Sequence, residues 1–206
     1  MYVINMEKNN MEENKNITLW HGGRDLEFNY RDPKPSSKGR WEHGPGLYLT
    51  THYETARDYA KGGGKTYKVD FELGINIQNV MIPLEQALLF IYDNATKKKQ
   101  KTIIEDIHEN MKRMNLIDKV EANVFLNLLF NYDAIVGSKT LKLNRFLVEN
   151  GVDYGVVNRF KGRDETVFVI YNLDKIKKVK PISAKDVDLK DFELELNLDK
   201  KNKLKI

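Results

Sequence analysis

Four histidines, His21, His43, His52 and His108, are the side chains best suited to move protons or bind a metal. None stands at a zinc-binding spacing from another histidine or a carboxylate, as in His-Glu-x-x-His, and there is no cysteine. No metal is therefore expected, and disulfide scaffolds and thiol nucleophiles are excluded. Gly62-Gly63-Gly64-Lys65-Thr66 ends like a phosphate-binding loop. The first glycine of that pattern is replaced by Tyr59, and a strand-like run follows where a helix is required. It reads as a turn. Lys97-Lys98-Lys99 with Lys101 reads as a solvated helix start, able to touch phosphates without base specificity.

Three further segments gather imidazole, phenol and carboxylate groups near strand ends. The first is Leu19-Trp20-His21-Gly22-Gly23. The second is Gly44-Pro45-Gly46-Leu47-Tyr48-Leu49-Thr50-Thr51, followed by a helix ending in Asp58-Tyr59-Ala60. The third runs from Asp164-Glu165 through Thr166-Val167-Phe168-Val169-Ile170-Tyr171-Asn172. Taken singly, His21 is a hydrogen-bonded histidine at a strand end and Tyr48 a half-buried strand aromatic. Glu165 by itself is an exposed charge ahead of a strand.

The elements that must position these groups are visible in the pattern. Ile17–Trp20, Leu47–Thr50, Thr66–Leu73, Val152–Val157 and Thr166–Tyr171 are β-prone, with period-two alternation clearest in the third. Glu54–Ala60 is a short helix with Ala56, Tyr59 and Ala60 on one face. The middle is helical: Ile103, Ile104, Ile107, Met111 and Met114 share a face, and Val120–Phe130 continues the pattern. A helix over Lys139–Asn150 has Ser138 as its expected N-cap and Gly151 as its terminator. Strands, then helices, then strands argue an α+β fold. Asp25–Gly46 is a long irregular loop of the kind that carries function.

The chain has 206 residues, enough for one domain with a tail, and 34 Lys+Arg against 30 Asp+Glu. The surplus of +4 permits an acidic partner without requiring one. No stretch matches a membrane span or a secretory signal, so a cytoplasmic location is expected. Residues 1–16 read as a flexible N-terminus, 17–182 as the domain and 183–206 as a charged C-terminal extension. That extension contains the strand-like run Phe192-Glu193-Leu194-Glu195-Leu196.

The order of the three segments is more telling than any one of them. His-Gly after the first strand, Gly-x-Tyr in the second, a tyrosine 11 positions later and a glutamate opening a late strand resemble the ADP-ribosyltransferase superfamily. More narrowly, they resemble the His-Tyr-Glu branch shared by poly(ADP-ribose) polymerases and diphtheria-type toxins. The resemblance covers about Ile17–Leu73 and Leu147–Lys178. Leu147-Val148-Glu149-Asn150-Gly151-Val152-Asp153-Tyr154-Gly155 is similar to small prokaryotic and phage members.

The resemblance implies an ADP-ribosyltransferase-like fold, two packed, mainly antiparallel sheets around an NAD cleft with flanking helices. It implies NAD+ as substrate and no metal. Glu165, Tyr48 and His21 would be the catalytic residues. Glu165 would stabilise the oxocarbenium-like ribose, Tyr48 and Tyr59 would sandwich nicotinamide, and Gly22 would meet its carboxamide through the backbone. His21 would bind the adenine-side ribose, and Thr50 belongs to the same NAD-binding set. Arg163 stands where arginine-modifying relatives carry Glu or Gln, which disfavours arginine as acceptor. Mono-ADP-ribosylation of a protein or nucleic acid is the expected reaction, in a bacterial or phage toxin, effector or defence component. A cognate inhibitor or antitoxin protein is an implied partner; a membrane is not. The alternatives are NAD+ hydrolysis and a non-catalytic member of the fold that binds nucleic acid or another partner.

Overall fold

A computed structural model of the protein describes residues 16–23, 43–158 and 164–194. The expectations for the N-terminus before Asn16, for most of the loop Asp25–Gly46, for Arg163 and for the run beyond Leu194 lie outside the described residues. Strand β1 is Asn16–Gly23, β2 is Leu47–Thr50 and β3 is Lys65–Glu72. Later in the chain come β6 (Tyr154–Asn158), β7 (Thr166–Ile170) and β8 (Ile176–Ile182). They form one antiparallel six-stranded sheet in the order β6-β7-β2-β1-β3-β8. The fold is α+β, as the order of strands, then helices, then strands predicts.

The sheet is folded over on itself. Ile17 and Leu19, Leu47 and Leu49, Tyr67, Val69 and Phe71, and Phe168 and Ile170 occupy alternate positions on their strands and bury one common core. Phe71 of β3 meets Tyr154 of β6 edge-on, with ring centroids 5.7 Å apart. In a flat sheet those strands, four places apart, would be separated by about 19 Å. Two halves, β6-β7-β2 and β1-β3-β8, therefore pack face to face. Where two packed sheets are expected, the structure has one six-stranded sheet whose halves face each other. The separate second sheet is only a ribbon, β4 (Met81–Pro83) against β5 (Lys119–Glu121).

The halves are joined weakly. β1 and β3 pair along their whole length, from Asn16↔Glu72 to Gly23↔Lys65. β2 and β7 pair from Leu47↔Ile170 to Thr50↔Val167. Between β1 and β2 only Trp20↔Thr50 is in register. Beyond Trp20 the two strands part.

Helix α1 (Tyr53–Tyr59) follows β2 directly. Helices α2 (Leu84–Asn94), α3 (Lys97–Arg113), α4 (Ala122–Asn131) and α5 (Lys139–Glu149) make the middle of the chain. They pack with the β4–β5 ribbon around a second core, which Val169 and Tyr171 join from the sheet side. In α3 the buried stripe is Ile103, Ile107 and Met111, one turn apart. Met114 lies past the helix end and is exposed. Val120 belongs to β5, opposite Ile82, where both are fully buried, so the fourth helix starts at Ala122.

The termination of α5 follows the expected glycine logic. Gly151 has φ +85°, and its N–H and that of Val152 donate to Val148 O and Leu147 O at 2.9 and 3.0 Å. Its start does not follow expectation: Ser138 has helical dihedrals and makes no side-chain cap. Thr140 Oγ1 instead donates to Gly137 O at 2.7 Å. Gly62 and Gly63 have positive φ and lead into β3, so the Gly-Lys-Thr run is a turn before a strand.

Residues 183–194 are packed onto the domain. Ile182, Val187, Phe192 and Leu194 cover Trp20, Tyr53 and Ala56. Trp20 Nε1 donates to Asp191 O at 3.0 Å, and Lys68 Nζ to Asp191 Oδ2 at 2.7 Å. Among the described residues no helix is long and apolar enough to cross a membrane.

Candidate active site

The opening between β1 and β2 organises the candidate residues. Thr51 N donates to Thr166 O, so the odd-numbered residues of β2 exchange bonds with β7. Tyr48 and Thr50 then turn their peptide groups toward β1, where Thr50 meets Trp20. Two residues on, by the same alternation, Gly22 turns its N–H and C=O toward β2. It has no β2 partner there. A peptide edge directed into an opening is a ready hydrogen-bonding surface for an amide.

Gly22 is fixed by packing as well. A Cβ there would lie 1.6 Å from Ala56 O on α1, an impossible contact. The glycine thus lets α1 settle on β1. Trp20 and Tyr53 pack edge to face at 5.1 Å beside it and hold the same helix.

His21 bridges the opening. Its Nδ1 lies 2.8 Å from Tyr48 O, a carbonyl that can only accept, so Nδ1 carries the proton and Nε2 presents a lone pair. Burial lowers the imidazole pKa below its usual 6.5, with the Tyr48 carbonyl opposing that shift. The ring is a neutral acceptor suited to a hydroxyl, not a cation suited to a phosphate.

On the Trp20 face of the sheet, Thr50 Oγ1 donates to Glu165 Oε1 at 2.8 Å. Glu165 is 2% exposed, although its position at a strand opening reads as a surface charge. Its second oxygen, Oε2, is buried without a hydrogen-bond partner among the described residues. Native folds rarely leave a buried carboxylate oxygen unmatched, and such an atom is a common mark of a ligand site. Thr50 Oγ1 also accepts from His52 N at 3.1 Å, and Thr51 Oγ1 accepts from Thr166 N at 3.1 Å. Both walls around the carboxylate are fastened.

Tyr48 is half-buried, its side chain on the same face as Thr50 by strand alternation. Tyr59, the last residue of α1, is 59% exposed. It stands one helical turn after Ala56, which covers Gly22. The end of α1 also lies against the end of β1, since a Cβ on Gly64 would come within 2.9 Å of both Gly23 O and Ala60 O. Tyr59 is thus on the rim of the opening. Thr50 and Glu165 meet directly and His21 reaches the Tyr48 carbonyl, whereas the His21 ring itself, next along β1 to Trp20, lies on the opposite face beside Tyr67, with ring centroids 6.2 Å apart.

Three residues that sequence reasoning passed over also support the site. Tyr171 closes the β-prone run Thr166–Tyr171 and reads there as one more strand residue. Asn144 reads as a polar helix position and Asp191 as part of a charged tail. Among the described residues no three His, Asp or Glu side chains converge to hold a metal ion. No protein-family model, curated protein or solved structure matches the chain.

Proposed function

We propose that the chain is an NAD+-dependent mono-ADP-ribosyltransferase with an ADP-ribosyltransferase-like fold. The observation that carries this reading is Glu165: a fully enclosed carboxylate with one oxygen held by Thr50 and the other unpartnered among the described residues. The motif order His21-Gly22, Tyr48, Tyr59, Glu165 supplies the chemical class.

In the proposed reaction the bond between C1′ of the ribose and the nicotinamide nitrogen breaks, and its electron pair leaves with neutral nicotinamide. The ribose carbon becomes cationic and is stabilised by a fixed negative charge nearby. Glu165 Oε2 accepts a hydroxyl of that ribose, and Thr50 keeps the carboxylate aimed. Gly22 meets the carboxamide through both peptide groups. Tyr48 and Tyr59 offer flat faces to the pyridine ring. His21, neutral with its acceptor nitrogen Nε2 beside Gly23, receives a ribose hydroxyl. The acceptor nucleophile then bonds to C1′ and releases its proton.

Incubation of the full chain with labelled NAD+ and cell lysate tests the proposal, with Glu165→Ala as control. Label in protein or in nuclease-sensitive material, absent with Glu165→Ala, supports transfer and names the acceptor class. Free ADP-ribose alone would reassign the protein as an NAD+ glycohydrolase. No release of nicotinamide in any fraction would leave only a non-catalytic role.

A further inference from the structure

The hydroxyl of Tyr48 is engaged away from the opening. It donates to Gly44 O at 2.9 Å and accepts from His43 N at 3.1 Å. The short arch His43–Gly46 that these bonds grip is held from the other side too. Tyr171 Oη donates to His43 O at 2.7 Å. Asn144 Nδ2, on α5, donates to Pro45 O at 2.6 Å and to Tyr171 O at 3.1 Å. The backbone closes tightly, with Gly46 N donating to Gly44 O at 3.1 Å.

The arch has no slack. Gly44 has φ +100°, and a Cβ there would lie 3.0 Å from Tyr171 Oη and 3.0 Å from Leu126 Cδ2. A Cβ on Gly46 would lie 2.7 Å from Ile170 O. Burial pushes the Tyr171 hydroxyl above the usual tyrosine range, with the nearby Tyr48 adding to the shift, so it stays a donor. Four side-chain hydrogen bonds from three elements thus converge on four residues that lead straight into β2. The chain direction at Leu47, and with it the plane of the Tyr48 ring, is set by this clamp.

The geometry points to Tyr171 and Asn144 as positioning residues that preset the Tyr48 ring as one wall of the nicotinamide site. Tyr48 acts there by its face alone. This inference rests on the reading of the opening as an NAD+ cleft. A preset wall lowers the ordering cost of ligand binding and leaves the bond-breaking step to Glu165. Loss of the clamp therefore raises KM and spares kcat.

The test uses the full chain with Tyr171→Phe, which keeps the ring and removes the donor, and Asn144→Leu. Nicotinamide release gives kcat and KM for NAD+, and product inhibition gives Ki for nicotinamide. Each variant is expected to raise both KM and Ki by about three- to tenfold, the equivalent of one hydrogen bond, with kcat within about twofold. Asn144→Gln, which restores an amide donor, is expected to recover part of the loss. KM and Ki unchanged, or kcat falling while KM holds, would overturn the positioning role and leave the NAD+ reading intact. A wild-type chain that releases no nicotinamide would overturn both together.

Discussion

Thr50 and Glu165, 115 positions apart in the chain, share a buried hydrogen bond of 2.8 Å that leaves one carboxylate oxygen without a partner among the described residues. The arrangement suits a ligand and is costly without one. A buried carboxylate lacking a full set of bonds destabilises the fold that encloses it. Its retention makes sense where a hydroxyl completes the set.

Glu165→Gln is accordingly expected to keep or raise the melting temperature while lowering kcat for nicotinamide release by about 10²- to 10³-fold. Thr50→Val, which frees Oε1 without removing the charge, is expected to lower kcat by about tenfold. Thermal melts and steady-state kinetics on both variants check this. Full activity in Glu165→Gln would remove the carboxylate from the mechanism.

Gly22→Ala forces a methyl group into the Ala56 carbonyl, a backbone atom that cannot swing aside. Separation of α1 from β1 follows, at a cost of about 1–3 kcal/mol or more. Urea unfolding reads the loss directly. An alanine tolerated without change in midpoint would show that α1 does not rest on β1 as described.

His21 makes stability depend on pH with a definite sign. Its folded pKa is lowered by burial from 6.5, so below that value the unfolded chain binds more protons than the folded one. Stability is therefore undiminished above about pH 6.5 and falls as pH drops from there toward the lowered folded value. His21→Gln is expected to flatten this part of the stability profile, measured by denaturant midpoints between about pH 7.5 and 5. Glu72 acts only lower, because Lys177 and then Lys175 hold its pKa down and its contribution is lost as the carboxylate protonates. An equal slope in His21→Gln would show that another group carries it.

Phe192→Ala probes the C-terminal segment. The ring packs on Tyr53 with centroids 5.5 Å apart, and the Phe192 carbonyl accepts from Tyr53 N at 3.0 Å, supplying the first turn of α1 with a partner its own N-cap side chain lacks. The substitution removes the ring and keeps the carbonyl. A loss of about 1–3 kcal/mol is expected for a half-buried aromatic, read from urea midpoints. No shift would mean that backbone bonds alone hold the segment.

Much of this was legible in the residues. β-branched and aromatic runs located β1, β2, β3, β6 and β7, with alternation legible mainly in β3; β7 is buried at four successive positions and was marked by its composition alone. Glycine at 151 marked the end of α5 because only a left-handed residue closes that helix so tightly. β8 escaped because its sequence, Ile176-Lys-Lys-Val-Lys-Pro-Ile182, looks like a surface run. As an edge strand it needs lysine and proline on its outer side, and these mask the alternation. The ribbon β4–β5 escaped because three-residue strands carry too few alternations to register. At the site, the structure joins Thr50 to Glu165 and His21 to the Tyr48 carbonyl. The burial of Glu165 was not readable, since it depends on Thr50 across the sheet. Nor were the bonds on the arch His43–Gly46, whose donors Asn144 and Tyr171 come from a distant helix and from just past the end of β7.

Gly22 answers to two masters. Its missing side chain admits α1 on one side, and its peptide edge faces the opening between β1 and β2. A variant that tried to retune ligand recognition at this position would have to rebuild the seat of a helix in the same step. In the proposed reading, recognition by main-chain atoms leaves no side chain there to alter by degrees. In that reading, change in ligand preference falls to side chains on the rim, such as the 59% exposed Tyr59.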